Sequence, residues 1–504
     1  MLEAKTIDME AILPACVKFC ANHNAKIKKS ACEALICCSE KFSRPDVGLL
    51  AVNILLKDVN DPNPDVRATA IDTTASLSVL AEEHSLQAIS CGLKDSNPRV
   101  RKAAVIGCGK VWRHSPKIIE DNGVVDVLYT MVRDPEPSVM TFALQTINVI
   151  LSNEGGVIIN SSMANYLLSR LDDCQDLEKC FILDYLHKHK PKNAASRLTI
   201  MNHIDPLIGH KSGSVFLAAS KLFYRIMIDD EDTRKLSADF VDRFQPQLSR
   251  FLRDAVSTDF LTALLSFIDE MSPDDVLVHL AKNHKEFRLK RRDTGEICDL
   301  KCDILTKLAG SENRDDIIKY LINQLENPSY SFWTKTALLR ALCKINAPNL
   351  ANELQKLMNA SPDAAVPLLL KNARVIPKNM GGDKEELLRQ MCEYSLTYCQ
   401  PLDAYASQVL WTMCHHPKDI KNGPYILERL IHQLSEAALA ENVNLLLLAG
   451  VKAFLASPAE AQPVLGCIFR ICDEQKNNTM LSCKVDFYAK LLQKHSELCQ
   501  THLL

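Results

Sequence analysis

Long apolar runs are missing from this 504-residue chain. The longest clean one, Leu445 to Val451, is far too short to cross a bilayer. The opening Met1-Leu2-Glu3-Ala4 lacks the basic-then-apolar order of a secretory leader. Together these absences point to a soluble, cytosolic protein whose membrane contact would be peripheral. A formal net charge of only −3 gives no global electrostatic reason to expect nucleic acid. Aromatic residues make up 6% and do not interleave with basic ones, so no base-stacking surface is indicated. Glycine is scarce, at 16 residues, and alternating β-branched runs are few, which argues for an all-α chain. There is no Gly/Ser linker, acidic block or low-complexity tail.

Signatures of chemistry are also absent. No His-Glu-x-x-His, Gly-x-Ser-x-Gly or kinase-like set occurs. Gly107-Cys108-Gly109-Lys110 lacks the residue order of a phosphate-binding loop and falls inside a helical stripe. His187, His189 and the pair His415-His416 have no nucleophile or carboxylate in a catalytic arrangement nearby in the sequence. Cys298 and Cys302, with His284 upstream, have no second pair at finger spacing to complete four zinc ligands. The expectation is a protein that is not an enzyme and takes no cofactor or metal.

Cysteine, in contrast, is plentiful. Nineteen are scattered along the chain, among them Cys16, Cys20, Cys32, Cys91, Cys108, Cys180, Cys343 and Cys414, mostly at apolar helix positions. That distribution reads as reduced, buried thiols.

A recurring segment organises the rest. It runs Asp61-Pro62-Asn63-Pro64-Asp65-Val66-Arg67, then Asp95-Ser96-Asn97-Pro98-Arg99-Val100-Arg101, then Asp134-Pro135-Glu136-Pro137-Ser138-Val139 without the arginine. A polar residue before proline starts a helix: its side chain accepts from a free first-turn N–H, and proline lacks only a donor that would be unpaired there. Counting from the valine, offsets +3, +4, +7, +8 and +11 form a one-sided stripe of helical period. From Val100 these are Ala103, Ala104, Gly107, Cys108 and Val111; from Val139, Phe142, Ala143, Thr146, Ile147 and Ile150. Val66 opens a similar frame, and Val215 another that includes Leu222. The frames lie 34, 39 and 76 residues apart, so an unmarked repeat is expected near residue 177, carried by Leu177, Cys180, Phe181 and Tyr185. The predicted repeat core therefore includes Val66, Val100, Ala103, Ala104, Val139, Phe142, Val215 and Leu222.

Periods of about 34 to 47 residues belong to two-helix repeats, and neither a tetratricopeptide nor an ankyrin signature is present. The fold class implied is an all-α, right-handed α-solenoid of HEAT/armadillo-like hairpins, on the order of a dozen of them. Breaks are short (Gly155-Gly156, Pro191, Pro273, Gly381-Gly382, Gly423-Pro424, Pro458), so residues 1–504 read as one continuous array. Lys282 to Asp299 is the least helix-like stretch and reads as an exposed inter-helix loop.

Two basic clusters are candidate contacts. Lys26, Lys28 and Lys29 lie on a helix near the N-terminus, and Lys290, Arg291 and Arg292 close the stretch that begins at Lys282. Each fits acidic lipid headgroups or a partner's acidic patch, and each also fits an ordinary solvated face, the second being balanced by Glu286, Asp293 and Glu296.

Several segments in order resemble the trunk of β-adaptins, large subunits of vesicle-coat adaptor complexes. They include Lys28-Lys29-Ser30, Pro45-Asp46-Val47 leading to Ala51-Val52-Asn53, Lys57-Asp58 ahead of Asp61-Pro62-Asn63-Pro64, and Glu120-Asp121-Asn122-Gly123. Asn153-Glu154-Gly155-Gly156, Asn422-Gly423-Pro424-Tyr425, Lys452-Ala453-Phe454-Leu455 and Phe487-Tyr488-Ala489-Lys490 are similar to β subunits of the fourth type of complex. The start looks about one hairpin shorter than the family's trunk. Cys483-Lys484-Val485-Asp486 stands where the family has Arg-Asp-Arg, and no hinge, clathrin-box segment or appendage follows.

The resemblance implies a scaffold in a heterotetramer with a second large adaptin, a medium subunit and a small subunit. It further implies an Arf-type small GTPase and membrane lipids as contacts, and protein sorting from the trans-Golgi network to endosomes. The competing reading is a different HEAT-repeat scaffold, such as a nuclear-transport receptor. An enzyme built on helical repeats is a third, with no sequence feature in its favour.

Overall fold

Asn63 and Asn97 start their helices as caps. In the computed structural model each side-chain oxygen accepts a hydrogen bond at 2.9 Å from the backbone N–H two residues on, at Asp65 and Arg99, and Pro64 and Pro98 open the helices Pro64–Ser76 and Pro98–His114. The preceding aspartates build the turn: Asp61, Asp95 and Asp134 accept from the N–H of Asn63, Asn97 and Glu136 at 2.8, 2.8 and 2.9 Å.

The structure describes residues 9–22, 24–38, 45–78, 82–191, 193–254, 257–272, 276–376, 384–474 and 479–494. The Met1-to-Ala4 opening and the breaks expected at Pro273 and Gly381-Gly382 lie outside the described residues. Among those described no strand occurs. The chain divides into two compact units, Met1–Gln247 and Leu248–Leu504.

Each unit is a stack of helical hairpins. In the first, Pro64–Ser76 packs on Pro98–His114, which packs on Pro137–Ile150; Asp176–Lys188 and Gly213–Ile228 continue the series. In the second, Thr258–Asp269 is followed by Gly295–Leu308, Phe332–Ile345, Pro362–Lys371, Ala406–His415 and Val443–Ala456.

A single register describes all of these helices. Count from residues 66, 100, 139, 178 and 215 in the first unit, and from 260, 297, 334, 365, 405 and 442 in the second. Positions +4, +5, +7, +8 and +11 are buried in every one, and positions +6 and +10 in none. The repeat near residue 177 therefore exists, with its origin at Glu178 and its core at Ile182, Leu183, Tyr185, Leu186 and His189. Leu177 itself points to solvent.

The buried stripe is rotated from the predicted one. Position +5 (Ile71, Val105, Leu144, Ser220) enters the core, whereas position +3 (Thr69, Ala103, Phe142, Ala218) lies half-buried at its margin. Ala103 and Phe142 are thus edge residues; Val66, Val100, Ala104, Val139, Val215 and Leu222 are buried. Two glycines mark close helix approach. A Cβ on Gly107 would lie 3.1 Å from Ala75 Cβ, and one on Gly450 would lie 2.5 Å from Ile468 Cδ1. The small residues required there let neighbouring helices approach closely.

The predicted loop from Lys282 to Asp299 is largely structured. Ala281–Phe287 forms 3-10 turns with His284 and Phe287 buried, and the helix Gly295–Leu308 begins within the stretch, capped by Thr294. Only residues 288–294 connect the two, and Leu289 anchors them by donating its N–H to Tyr320 Oη at 2.7 Å.

The cysteines divide by exposure. Cys108, Cys343, Cys392 and Cys414 are buried, and burial pushes each thiol up to about 12. Cys91 and Cys37 are exposed, as are Cys467 and Cys483, so the buried assignment fails for Cys91 and is only partial for the half-buried Cys180. Because the thiolate is the reactive form, brief N-ethylmaleimide treatment near neutral pH is expected to label the four exposed thiols and spare the four buried ones until denaturant is added. Peptide mass spectrometry would read the order; early labelling of Cys392 would contradict the packing described.

Candidate interaction surfaces

The recurrent arginine links one repeat to the next. Arg67 donates from Nε to Asp95 Oδ2 at 2.8 Å and from Nη2 to Asp95 Oδ1 at 2.9 Å. One repeat on, Arg101 forks onto Asp134 with both bonds at 2.8 Å. The remaining guanidinium nitrogens bind backbone carbonyls of their own turn, Asp61 and Pro62 for Arg67, Asp95 and Ser96 for Arg101. Each aspartate thus holds its own turn and receives the arginine of the preceding repeat. The third copy has no arginine because that position, Met140, is core.

The Arg67 guanidinium holds the Asp95 carboxyl below the usual carboxylate range. A carboxyl depressed in the folded state stabilises fully above its unfolded value of about 3.9, and that contribution is lost as pH falls through the folded value. The Arg67→Met variant is therefore expected to show a shallower stability loss than wild type below about pH 4. Urea titrations across that range would check it, and parallel pH profiles would contradict it.

The rows that never enter the core, +6 and +10, are the outer faces of the stacked helices. They carry cross-repeat ties: Lys110 donates to Asp72 at 2.6 Å and to Ser76 at 2.9 Å, and Lys344 pairs with Asp303 at 2.5 Å. Lys110, the last residue of the phosphate-loop look-alike, is therefore a strut.

The basic clusters separate in the same manner. Lys28 pairs with Asp58 at 2.6 Å with both side chains mostly covered. Lys26 and Lys29 point outward; Lys29 lies 4.0 Å from Glu33, and Lys26 borders a shallow groove with Phe19 and Ile27. Lys290 is tied back, its Nζ donating to the Leu252 carbonyl and its N–H to Asp293 at 2.7 Å. Arg291 and Arg292 are exposed. Three lysines and three arginine-loop cations in sequence thus supply four outward cations, in separate units: Lys26 and Lys29 in one, Arg291 and Arg292 in the other.

One buried pair had no sequence signal. Lys301, at position +4 of its repeat, has a side chain only 3% exposed and pairs with Asp293, 7% exposed, at 2.7 Å. It stands where every other repeat places an uncharged residue. Cys298 and Cys302 lie in the same core with their thiols pushed up, chiefly by burial. His189 binds the Ile159 carbonyl at 2.9 Å and His416 lies 3.2 Å from Asp419. Among the described residues no group of three or more His, Cys, Asp or Glu side chains is placed to hold a metal ion, and no helix is long and apolar enough to cross a membrane.

Comparison with known proteins agrees with the repeat geometry. The adaptin N-terminal region matches residues 1–496. The mouse AP-4 complex subunit beta-1 is 25% identical over 454 residues, covering 89% of this chain and 60% of that protein. The human AP-1 complex subunit beta-1 is 24% identical over 494 residues, covering 96% of this chain and 51% of that protein. The chain thus spans roughly half to three-fifths of the length of these relatives. Among structures, a chain of a homology model of the full-length AP-3 complex in an intermediate open conformation superposes with a TM-score of 0.55 at 13% identity, covering 97% of this chain and 88% of that one. That likeness bears on the fold alone.

Proposed function

Since the chain belongs to the adaptin N-terminal-region family and is similar to β-type subunits, we propose that it works as the β-type large subunit of a vesicle-coat adaptor complex. It acts by packing over a large area, with no chemical step. As the trunk portion of such a subunit, the chain holds a second large adaptin, a medium subunit and a small subunit in a heterotetramer. Interfaces of this obligate kind bury roughly 2,000–5,000 Å² or more. The complex resides on the cytoplasmic side of trans-Golgi and endosomal membranes, attached peripherally, and selects cargo for sorting between them. An Arf-type GTPase and acidic headgroups are its membrane contacts, with Lys26, Lys29, Arg291 and Arg292 as the outward cations available to them.

The observation that carries this reading is the family match over residues 1–496, which runs through both units. The repeat register supports it, because its outer rows +6 and +10 leave a helical face for partner subunits. Tagging the chain in its own cells tests the proposal: medium and large adaptor subunits should co-purify, with a juxtanuclear signal. Recovery of a nuclear GTPase with staining at the nuclear rim would favour a transport receptor and overturn it.

A further inference from the structure

The outer face of the second unit carries a cluster that the packing of the repeats does not explain. Lys371, at +6 of the helix Pro362–Lys371, places its ammonium 5.0 Å from the ring centre of Phe332 on one neighbouring helix and 5.5 Å from that of Tyr405 beside the other. Arg374, just beyond the same helix, lies 5.5 Å from the Trp411 ring, and Trp411 stacks on His415 at 4.0 Å. Lys371, Arg374 and His415 are exposed; Phe332, Tyr405 and Trp411 are half-covered.

On these rows Lys110 meets Asp72, Lys344 meets Asp303 and Lys188 meets Asn148 of the adjoining repeat, and Arg225 donates to the His189 carbonyl. Lys371 and Arg374 rest on rings, and no carboxylate among the described residues forms an ion pair with either. Cation–ring contacts at exposed sites are weak, so both charges remain available to pair with an anion. Flat rings beside a planar guanidinium also match the composition of binding hot spots, which are enriched in Trp, Tyr and Arg.

From this we infer that the face formed by Phe332, Lys371, Arg374, Tyr405, Trp411 and His415 is a docking site for an acidic, apolar-flanked segment of a protein partner. The partner's carboxylates pair with Lys371 and Arg374, and a neighbouring apolar side chain lies on Tyr405 and Trp411. A peptide fits better than a lipid surface because the cations lie against half-covered rings, which offer flat contacts to an apolar side chain beside the paired carboxylates. The inference stands on the cluster alone and does not depend on adaptor membership.

Panning the full chain against a random dodecapeptide display library tests it. Enriched peptides should be rich in Asp and Glu beside Leu, Phe or Trp. Their affinity should fall about tenfold or more in the K371E/R374E variant, and less in K371Q/R374Q, with binding weakening as salt rises. Unchanged circular dichroism of both variants separates this loss from unfolding. Enrichment without acidic residues, no enrichment, or peptide affinity that survives charge reversal would overturn the inference. So would phosphatidylserine vesicles binding through the same two residues while peptides do not.

Discussion

Truncating Arg101 to alanine is expected to weaken the first unit by about 3–5 kcal/mol, the usual cost of removing one partner from a covered ion pair. Asp134, with only 4% of its side chain exposed, would then have no guanidinium against it. The turn that opens the helix Pro137–Ile150 would suffer too, because the same carboxylate accepts from Glu136 N–H at 2.9 Å. The exposed pair Arg99–Asp65 provides the contrast: Arg99→Ala is expected to cost no more than about 1 kcal/mol. Native-state hydrogen exchange in the helices Pro98–His114 and Pro137–Ile150 would measure both, since it reports the opening energy of the segment concerned. The double variant R101M/D134L, which removes both charges, should recover much of the loss. Equal effects of Arg101→Ala and Arg99→Ala would refute the coupling of repeats through this pair.

Replacing Lys301 by methionine keeps the volume and deletes the charge, and is expected to cost a similar 3–5 kcal/mol. Lys301 Nζ donates to Asp293 at 2.7 Å, and Asp293 also accepts from Lys290 N–H at 2.7 Å, so one carboxylate fastens the 288–294 connection to the helix Gly295–Leu308. Loss of the lysine leaves that carboxylate buried and uncompensated. Amides from Leu289 through Lys301 should lose protection first, and the double variant K301M/D293N should restore at least half of it, since asparagine can still accept from Lys290 N–H. A neutral K301M variant would show that the core tolerates Asp293 alone.

These two residues also explain what the sequence conceals. Helix starts were legible because Asn63-Pro64 and Asn97-Pro98 use local chemistry that needs no partner. Repeat spacing was legible wherever a valine marked the origin. The origin at Glu178 was missed by one residue because a buried glutamate, accepting from Gln175 N–H at 2.8 Å, occupies the place of the valine. Lys301 at +4 and Asn372 at +7 interrupt the apolar stripe in the same manner; each is satisfied inside, Asn372 by the Leu368 carbonyl at 2.8 Å. The choice of +3 over +5 as a core row has a different cause. Small residues at +3, such as Ala103 and Ala218, look like packing positions, yet only the stacking direction decides which edge of the stripe is covered. Surface chemistry was least legible. Sequence clustering grouped Lys28 with Lys26 and Lys29, but Asp58, thirty residues away, takes Lys28 out of the solvent-facing set.

Reconstitution tests the scaffold reading most directly. The chain would be co-expressed with a second large adaptin and with medium and small adaptor subunits, and the mass of the purified product measured by size-exclusion chromatography with light scattering. One copy of each subunit in a single species is the predicted result. A chain that elutes alone, folded by circular dichroism and without the other three, would contradict it.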